Sequence, residues 1–345
     1  MRIIDLTMVW AGPFAGQLLA DLGAEVIKVE ARQRVDMVRW GATADNRPRE
    51  TGLNLGGVFH TLNRNKLGIT LDLSAPDGRE ALLRLVERSD GLIENYSRRV
   101  MENFGLGYAA LRAANPRLVM VSMPGYGDSG PYRDFVSFGE VLEGMAGIAA
   151  LAGYPDGPPL RHGIAYLDPV GGYHGALAML AALYEREHTG AGRRLVLAQR
   201  DAGIRLIGDL LLGVQMGITP SATAPPAQTA SRTVSIPRVA RRPGGALRAQ
   251  RYRLAGVCHV LIRPDLAADP TLATLSGRRG QRDRVDAAIA AWTAERTAAE
   301  AAAALTAAGV PAAPVHSVAT ITGDPQISAR GCSSLSSTIS PDAAR

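Results

Sequence analysis

The stretch IIDLTMVWAGPFAGQLLADLGAEVIKVE, residues 3–30, predicts how the first half of the chain folds. It opens with the short run IIDL at 3–6 and closes with the β-rich run EVIKVE at 25–30. Between them, Pro13 is a residue typical of the first turn of a helix. Two short strands joined by a helix are typical of parallel strands linked by crossover helices. We therefore expect residues 3–30 to open an α/β domain.

The same alternation continues along the chain to residue 217. Pro76 marks another helix start, and a long helical pattern runs from Asp168 to His188, before the glycines near residue 190. The predicted fold class is α/β, with a Rossmann-like parallel sheet in a large domain and a smaller second domain. The further strand-like runs are ITLDL (69–73), GLIEN (91–95), LVMVSM (118–123) and LVLA (195–198), the last followed by a helix over 199–217.

Open sheets of this class bind ligands beyond the carboxyl ends of their strands. We therefore expect any site to lie in the loops that follow residues 6, 30, 73, 95 and 123. No nucleotide motif marks these loops, because GPFAG at 12–16 matches neither a dinucleotide fingerprint nor a P-loop. The turn from Trp10 to Pro13 either brings a ligand to a helix N-terminus or is an ordinary turn.

The composition changes after residue 215. Between residues 221 and 255 the chain has seven arginines and no acidic residue. A nucleic-acid-binding arm and a solvated linker both fit this composition, and the lack of aromatic residues other than Tyr252 favours the linker. We predict a large domain over 1–215, completed by 318–345, a basic Pro/Arg-rich linker over 216–257, and a reduced small domain over 258–317. A helix over 282–292 and a capping box at Thr297–Glu300 belong to that small domain.

Composition also excludes several classes of protein. A chain of 345 residues with 46% hydrophobic and 20% charged residues is neither a disulfide-stabilised miniprotein nor a disordered chain. The two cysteines, Cys258 and Cys332, lie too far apart in sequence for a CxxC zinc motif, and the six histidines lack ligand spacing, so no metal site is expected. No apolar run reaches the ~18 residues of a membrane span, and Asp5 interrupts what would be a signal core. We expect a cytoplasmic protein.

Asp168 is the residue most open to a chemical role. It precedes Pro169 in the stretch AYLDPVGGYHG, residues 165–175. As an N-cap followed by proline it would stabilise the helix start by ~1 kcal/mol and need no further function. Alternatively, a carboxylate at a helix end, near the exposed backbone of Gly171 and Gly172, can attack an acyl group. The residues alone leave both interpretations open, and the two are compatible.

Six stretches taken together resemble the class III CoA-transferases, the family that includes formyl-CoA:oxalate and carnitine CoA-transferases and α-methylacyl-CoA racemases. The resemblance is continuous over 1–215 and resumes over 258–331. The stretches are residues 5–30, NRNKLGITLDL (63–73), GLIENYSRRVMENFGLG (91–107), MPGYGDSGPY (123–132), GYPDGPP (153–159) and YLDPVGGYHGALAMLAALYEREHTGAG (166–192).

The resemblance implies a covalent mechanism on Asp168. Its carboxylate, with an ordinary pKa near ~4, attacks the donor thioester to give a mixed anhydride, which becomes an aspartyl-CoA thioester before an acceptor acid takes the CoA. It also implies a CoA thioester as substrate rather than a permanently bound cofactor, a small carboxylic acid as second substrate, an interlocked homodimer, and neither nucleic-acid nor membrane partners. The implied CoA contacts are Trp10, Ala11, Arg32, Leu71, Asp72, Leu73, Ser74, Asn95, Tyr96, Ser97, Arg98 and Arg99, and the substrate or oxyanion candidates are Phe138, Gly139, Gly171 and Gly172.

Two alternatives remain open. Racemases of the family need a second base, a histidine shortly after the GYG..GP motif, and no histidine lies between 132 and 161. His162 and His174 keep that alternative as a minor one. The second alternative is a catalytically idle CoA-binding relative. It stays open because the segment 221–255 lies where the family has small-domain strands, and because the chain ends soon after DPQISARG (324–331).

Overall fold

The computed structural model describes residues 1–40, 53–54, 56–152, 158–218, 234–235, 254–321 and 323–331. The chain divides into two compact units, Met1–Thr223 and Ala224–Arg345. Most of the predicted linker, including its seven arginines, lies outside the described residues, as do residues 153–157 and 332–345. The domain boundaries at 215 and 258 stay predictions.

The first unit is built on a six-stranded parallel sheet, which confirms the predicted α/β class. Its strand order is β3-β2-β1-β4-β5-β6, and every neighbouring pair is parallel. The order reverses between β1 and β4, which is the switch point where open sheets of this class bind ligands. The strands are β1 (Arg2–Asp5), β2 (Glu25–Glu30), β3 (Lys66–Thr70), β4 (Gly91–Glu94), β5 (Val119–Ser122) and β6 (Arg194–Val196).

Helices cover both faces of this sheet. On one face, α1 packs against α7 over a core that contains Ile3, Leu19, Val121 and Met179. On the other, α3 and α5 cover a second core around Ile4, Leu82, Leu92 and Leu111. The helices of this unit are α1 (Ala11–Asp21), α2 (Gly57–Asn63), α3 (Pro76–Val86), α4 (Val100–Asn103), α5 (Tyr108–Ala114), α6 (Gly139–Met145), α7 (Leu167–Thr189), α8 (Gln199–Ile204) and α9 (Gly208–Gln215).

Two predicted elements differ from the structure, and the start of the first helix agrees with it. The third strand ends at Thr70 instead of residue 73, because Asp72 turns the chain toward α3 by accepting the N–H of Ser74 at 2.9 Å. Helix α1 begins at Ala11, so Pro13 lies in its first turn as predicted, at the third position, where a backbone N–H would have no partner within the helix. The predicted helix 199–217 is divided by a 3₁₀ turn at Arg205–Ile207.

Helix α7 shows that one interpretation of Asp168 is wrong. The helix begins at Leu167 with Tyr166 as its N-cap, so Asp168 is the second helical residue and not the cap. The end of the helix is as predicted, because Gly190 adopts a left-handed conformation with φ 71°. Asp168 therefore needs another explanation than capping.

The second unit has its own small core around Leu261, Leu272 and Leu305. The predicted capping box at Thr297–Glu300 is confirmed, since both of its hydrogen bonds are present. A two-stranded antiparallel ladder joins β7 (Val234–Ser235) to β8 (Ala313–Pro314). The helices are α10 (254–260), α11 (Pro264–Ala267), α12 (Leu275–Gly280), α13 (Arg282–Thr293), α14 (Ala298–Ala307), α15 (Val318–Ile321) and α16 (Pro325–Ala329).

Within the described ranges, no helix combines the length and the apolar composition that crossing a membrane requires.

Candidate active site

A cavity of about 680 Å³ lies in the first unit, beyond the carboxyl ends of five strands. Each of the loops singled out by the topology rule contributes to its wall. The contributing residues are Met8 and Val9 after β1, Ala31, Gln33 and Arg34 after β2, Asp72 to Ser74 after β3, Asn95 to Arg98 after β4, and Pro124 to Tyr126 after β5.

The first turn of α7 brings Asp168 to the wall of this cavity. Gly139, the first residue of α6, lies so close that a Cβ on it would be 2.1 Å from Asp168 Oδ2. The N–H of Ala11, the first residue of α1, donates to the Asp168 carboxylate. The carboxylate is therefore placed between the N-terminal ends of two helices, where partial positive charge favours an anion.

The pKa of Asp168 is nevertheless raised from its ordinary 3.8 to about 7. Burial is the largest cause, and the negative charges of Glu140 and Glu143 on α6 add to it. The hydrogen bond from the Ala11 N–H acts in the opposite direction. The expectation of an ordinary pKa near ~4 is therefore wrong, because the sequence did not show the burial or the two neighbouring carboxyl groups.

Glu143 also fixes the start of α7. Its side chain is fully buried, and its Oε1 accepts the N–H of Tyr166, the N-cap residue, at 2.6 Å. Its Oε2 accepts the backbone N–H of His162 at 3.4 Å and lies 3.3 Å from the ring Nδ1 of the same residue. A carboxylate from α6 thus satisfies the backbone N–H of the N-cap residue, whose own side chain forms no capping hydrogen bond.

No histidine of the described chain lines the cavity. The ring of His162 pairs with Glu143, and the ring of His174 donates to the Val170 carbonyl at 2.8 Å within α7. The two histidines that kept the racemase alternative open are thus engaged elsewhere. The cavity wall offers no imidazole as a second base.

The structure brings together ten of the residues proposed from the sequence. The loops after β3 and β4, the start of α6 and the first turn of α7 deliver them to one cavity. They are Asp72, Leu73, Ser74, Asn95, Tyr96, Ser97, Arg98, Phe138, Gly139 and Asp168.

The structure does not bring Gly171 and Gly172 to the cavity wall. Both are buried inside α7, where their N–H groups belong to the helix and are not available to an oxyanion. Gly172 allows α7 to approach α1, because a Cβ there would lie 2.9 Å from the Ala11 carbonyl oxygen. Gly171 packs against the side chain of Gln199 in the same way. Their observed role is close packing.

The other sequence candidates outside the lining are Trp10, Ala11, Arg32, Leu71 and Arg99. Ala11 still reaches the site through its N–H, as described above. Arg99 lies beside the cavity, where its Nη2 is 3.2 Å from Asp134.

Three arginines, Arg34, Arg98 and Arg133, contribute to the cavity wall. Asp134 is shared by Arg98 at 3.0 Å, Arg99 at 3.2 Å and Arg133 at 3.7 Å, and the hydrogen bond from Arg98 is the main cause that lowers the pKa of its carboxyl. Three guanidinium groups around a single carboxylate leave charge and donors for a phosphate.

Sequence reasoning missed several residues of the site. Glu140 and Glu143 lie on the first turns of α6, after Gly139, and their proximity to Asp168 arises only in the fold. Gln199 lines the cavity and donates from Nε2 to the Met123 carbonyl at 2.7 Å, which ties α8 to the end of β5. Arg133 directly follows the MPGYGDSGPY stretch, and this position was the one available signal.

Comparison with known proteins identifies the family of this chain. Residues 1–338 match the profile of CoA-transferase family III, and the chain belongs to this family. It is 35% identical to succinyl-CoA–D-citramalate CoA-transferase of Chloroflexus aurantiacus, over 96% of this chain and 81% of that protein. It is 34% identical to formyl-CoA:oxalate CoA-transferase of Streptomyces avermitilis, over 85% of this chain and 74% of that protein.

A solved structure gives the same result. A CAIB/BAIF family protein from Brucella suis superposes with a TM-score of 0.80 at 31% identity, covering 96% of this chain and 87% of that one. The resemblance seen in the sequence is therefore confirmed. The protein is a family III CoA-transferase, an enzyme of a family that uses CoA thioesters as substrates.

Proposed function

We propose that the enzyme moves CoA between two carboxylic acids through covalent intermediates on Asp168. The observation that carries this proposal is the Asp168 carboxylate at the wall of the cavity, between the N-termini of α1 and α6. The racemase alternative would need a histidine as second base, and no histidine of the described residues lines this wall. A catalytically idle CoA-binding relative remains the alternative that the experiment below separates.

The reaction balances in four steps. An Asp168 oxygen attacks the donor thioester carbonyl, a C–O bond forms, the C–S bond breaks, and CoA leaves as thiolate. The thiolate then attacks the Asp168 carbonyl of this anhydride, which releases the donor acid and leaves an aspartyl-CoA thioester. The acceptor carboxylate attacks that thioester and forms a second anhydride, again releasing thiolate. Attack of the thiolate on the acceptor carbonyl yields the new acyl-CoA and restores the Asp168 carboxylate.

The environment of Asp168 supports this chemistry. A pKa of about 7 leaves the carboxylate half-ionised at neutral pH, and an oxygen anion with a more basic pKa is a stronger nucleophile. Its partial burial limits hydrolysis of the reactive anhydride, because fewer water molecules reach it.

The residues of the cavity wall support CoA as the substrate. We expect the loops Asp72–Ser74 and Asn95–Ser97 to contact CoA, with the thioester at Asp168 and the phosphates at the arginines of the wall, Arg34, Arg98 and Arg133. The relatives named above act on succinyl-CoA and formyl-CoA, so short acyl-CoA donors are the first to test. We place the reaction in the cytoplasm, because two cysteines 74 positions apart provide no disulfide framework and favour a reducing compartment.

Intact-mass measurement tests the proposal directly. After incubation with succinyl-CoA and other short acyl-CoAs, the wild-type protein is expected to gain the mass of an acyl group or of CoA, and Asp168→Asn is not. An adduct located by peptide mapping at another residue would refute the mechanism. A protein that binds CoA, shown by calorimetry, but forms no adduct with any donor would be the idle relative.

We also propose that the enzyme is a homodimer. Helix α9 has no buried residue, yet its sequence is GDLLLGVQ, and Leu212 is 58% exposed. On α7, Tyr173, Leu177 and Tyr184 are exposed as well. Apolar surface of this kind in an isolated chain is typical of a protein–protein interface. A second copy of the chain is the partner that the family suggests.

Leu212→Asp is expected to convert the dimer into monomer, because it would bury a charge in the interface. Sedimentation equilibrium measures the result. Leu22→Asp is the matched control, since Leu22 is 73% exposed at the end of α1 and is expected to leave the dimer intact. A wild-type protein that is monomeric at micromolar concentration would contradict the proposal.

A further inference from the structure

The loop between β1 and α1, residues 6–10, contains a strained residue. Val9 adopts φ 72°, in the left-handed region. A β-branched side chain disfavours this conformation, at a cost of ~1–3 kcal/mol, and such residues persist only where the surrounding structure holds them. Val9 and its neighbour Met8 both line the cavity.

Side chains from two other loops bind the backbone of this loop. The Val9 N–H donates to both carboxylate oxygens of Asp36, each at 3.1 Å. The Met8 N–H donates to Asn95 Oδ1 at 2.8 Å, and Asn95 Nδ2 donates to the Met8 carbonyl at 2.8 Å. Asp36 is completely buried. The loops after β2 and β4 therefore fix the loop after β1.

Two buried lysines complete this arrangement. Lys28 Nζ donates to the Thr7 carbonyl at 2.6 Å and lies 3.7 Å from Asp36. Lys66 Nζ donates to Asp5 Oδ2 at 2.8 Å and to the Pro13 carbonyl, in the first turn of α1, also at 2.8 Å. These are the two lysines of a chain whose 38 basic residues are otherwise arginine. A compact ammonium fits such a buried point contact where a planar guanidinium does not.

These contacts hold the loop that leads directly into helix α1. Helix α1 begins at Ala11, two residues after Val9, and the Ala11 N–H donates to the Asp168 carboxylate. The conformation of Val9 thus sets the direction of that N–H. Burying two ion pairs rarely adds stability by itself, so the backbone that the two lysines hold, on either side of Ala11, is the more informative property.

We propose that Asp36 and Asn95 are positioning residues of the transferase site, which hold Val9 in its left-handed conformation and so direct the Ala11 N–H at Asp168. The inference rests on the proposed role of Asp168. The other charged groups that face Asp168 are Glu140 and Glu143 on α6, which oppose its ionisation. The Ala11 N–H is the group that favours it.

The test compares Asp36→Asn with Asp90→Asn. Asp90 also accepts a backbone N–H, that of Arg2 at 2.7 Å, and pairs with a buried cation, Arg186, at 2.9 Å. It precedes β4, however, at the opposite end of the sheet from the cavity. Both variants replace a charged acceptor with a neutral one, but only Asp36→Asn does so beside the loop 6–10.

The first measurement needs no substrate. Infrared difference titration against Asp168→Asn reports the protonation of Asp168, with a wild-type midpoint at about 7. Asp36→Asn is expected to raise the midpoint by about 0.5–1 pH unit, because the donor to the carboxylate is misdirected. Asp90→Asn is expected to leave it unchanged. This titration remains informative even if CoA exchange proves not to require Asp168, so the two proposals fail separately.

The second measurement is the rate of CoA exchange. Asp36→Asn is expected to lower kcat about 10- to 100-fold, as small misplacements near a reacting group do. Val9→Gly in the same chain is expected to recover part of this loss, because glycine adopts positive φ without strain. If Asp36→Asn does not fold, as judged by thermal melting, Asn95→Ala takes its place with the same expectations. A midpoint and kcat equal to those of Asp90→Asn would overturn the proposal.

Discussion

Asp168→Asn is expected to lower CoA exchange by about 10³-fold or more, because the amide cannot form the anhydride and the thioester of the proposed mechanism. CoA binding, measured by calorimetry, is expected to change little, since the amide keeps the size of the carboxyl group and the phosphates are held elsewhere. Residual exchange within tenfold of the wild type would exclude Asp168 as the nucleophile.

The same residue makes the enzyme depend on pH in two ways. For exchange, kcat/KM of the wild type is expected to rise with pH through a midpoint at about 7, because the carboxylate is the reacting form in the proposed mechanism. Glu140→Gln is expected to move this midpoint to lower pH, since it removes one of the negative charges that oppose ionisation.

The unfolding free energy depends on pH in the opposite direction from that expected for a salt-bridged aspartate. The folded pKa of about 7 lies above the ordinary 3.8, so between these values the folded state binds more protons than the unfolded state. The free energy of unfolding of the wild type therefore falls as pH rises through this range. Asp168→Asn lacks this effect and is expected to be about 1–3 kcal/mol more stable than the wild type at pH 9 and equally stable near pH 4. Denaturant titrations at both pH values measure the difference.

Gly139→Ala is the second substitution with a large expected effect. The new Cβ would lie 2.1 Å from Asp168 Oδ2 and 2.8 Å from the Ala165 Cβ, so the start of α6 or the carboxylate must move. Exchange is expected to fall about 100-fold, because a displacement of ~1 Å at a reacting group has such an effect. The unfolding free energy is expected to fall by about 1–3 kcal/mol from overpacking.

The same helix provides the control. Gly144→Ala adds the same methyl group to α6, but no heavy atom lies within 4 Å of the new position. This variant is expected to keep wild-type exchange and to gain a few tenths of a kcal/mol or more of stability from helix propensity. Equal activity in the two variants would mean that the close approach of α6 to Asp168 has no catalytic importance.

The fold was largely predictable because its signals are local. The runs at 3–6 and 25–30 became β1 and β2 nearly as predicted, and Gly190 ended α7 as its sequence indicated. The third strand was misplaced by three residues because ITLDL has a β-rich pattern, while the carboxylate of Asp72 redirects the chain by a hydrogen bond that a pattern does not show.

The candidate site was predictable only in part. Asp168 and the loops after the strands were identified from motif and topology, and the structure brings them to one cavity. The glycines 171 and 172 were assigned a donor role because glycine exposes backbone, whereas in the structure they permit helices to pack. Asp36 carried no signal, since a single acidic residue in a loop looks like any solvated one.

The sequence by itself determined the α/β class, the order of the first strands and helices, and the family, because these depend on short-range patterns and on motifs in a fixed order. The tertiary structure alone decided the chemical state of Asp168 and the geometry around it. Burial, the charges of Glu140 and Glu143 and the Ala11 N–H come from segments far apart in the chain, and electrostatic interactions depend on distance in space rather than in sequence.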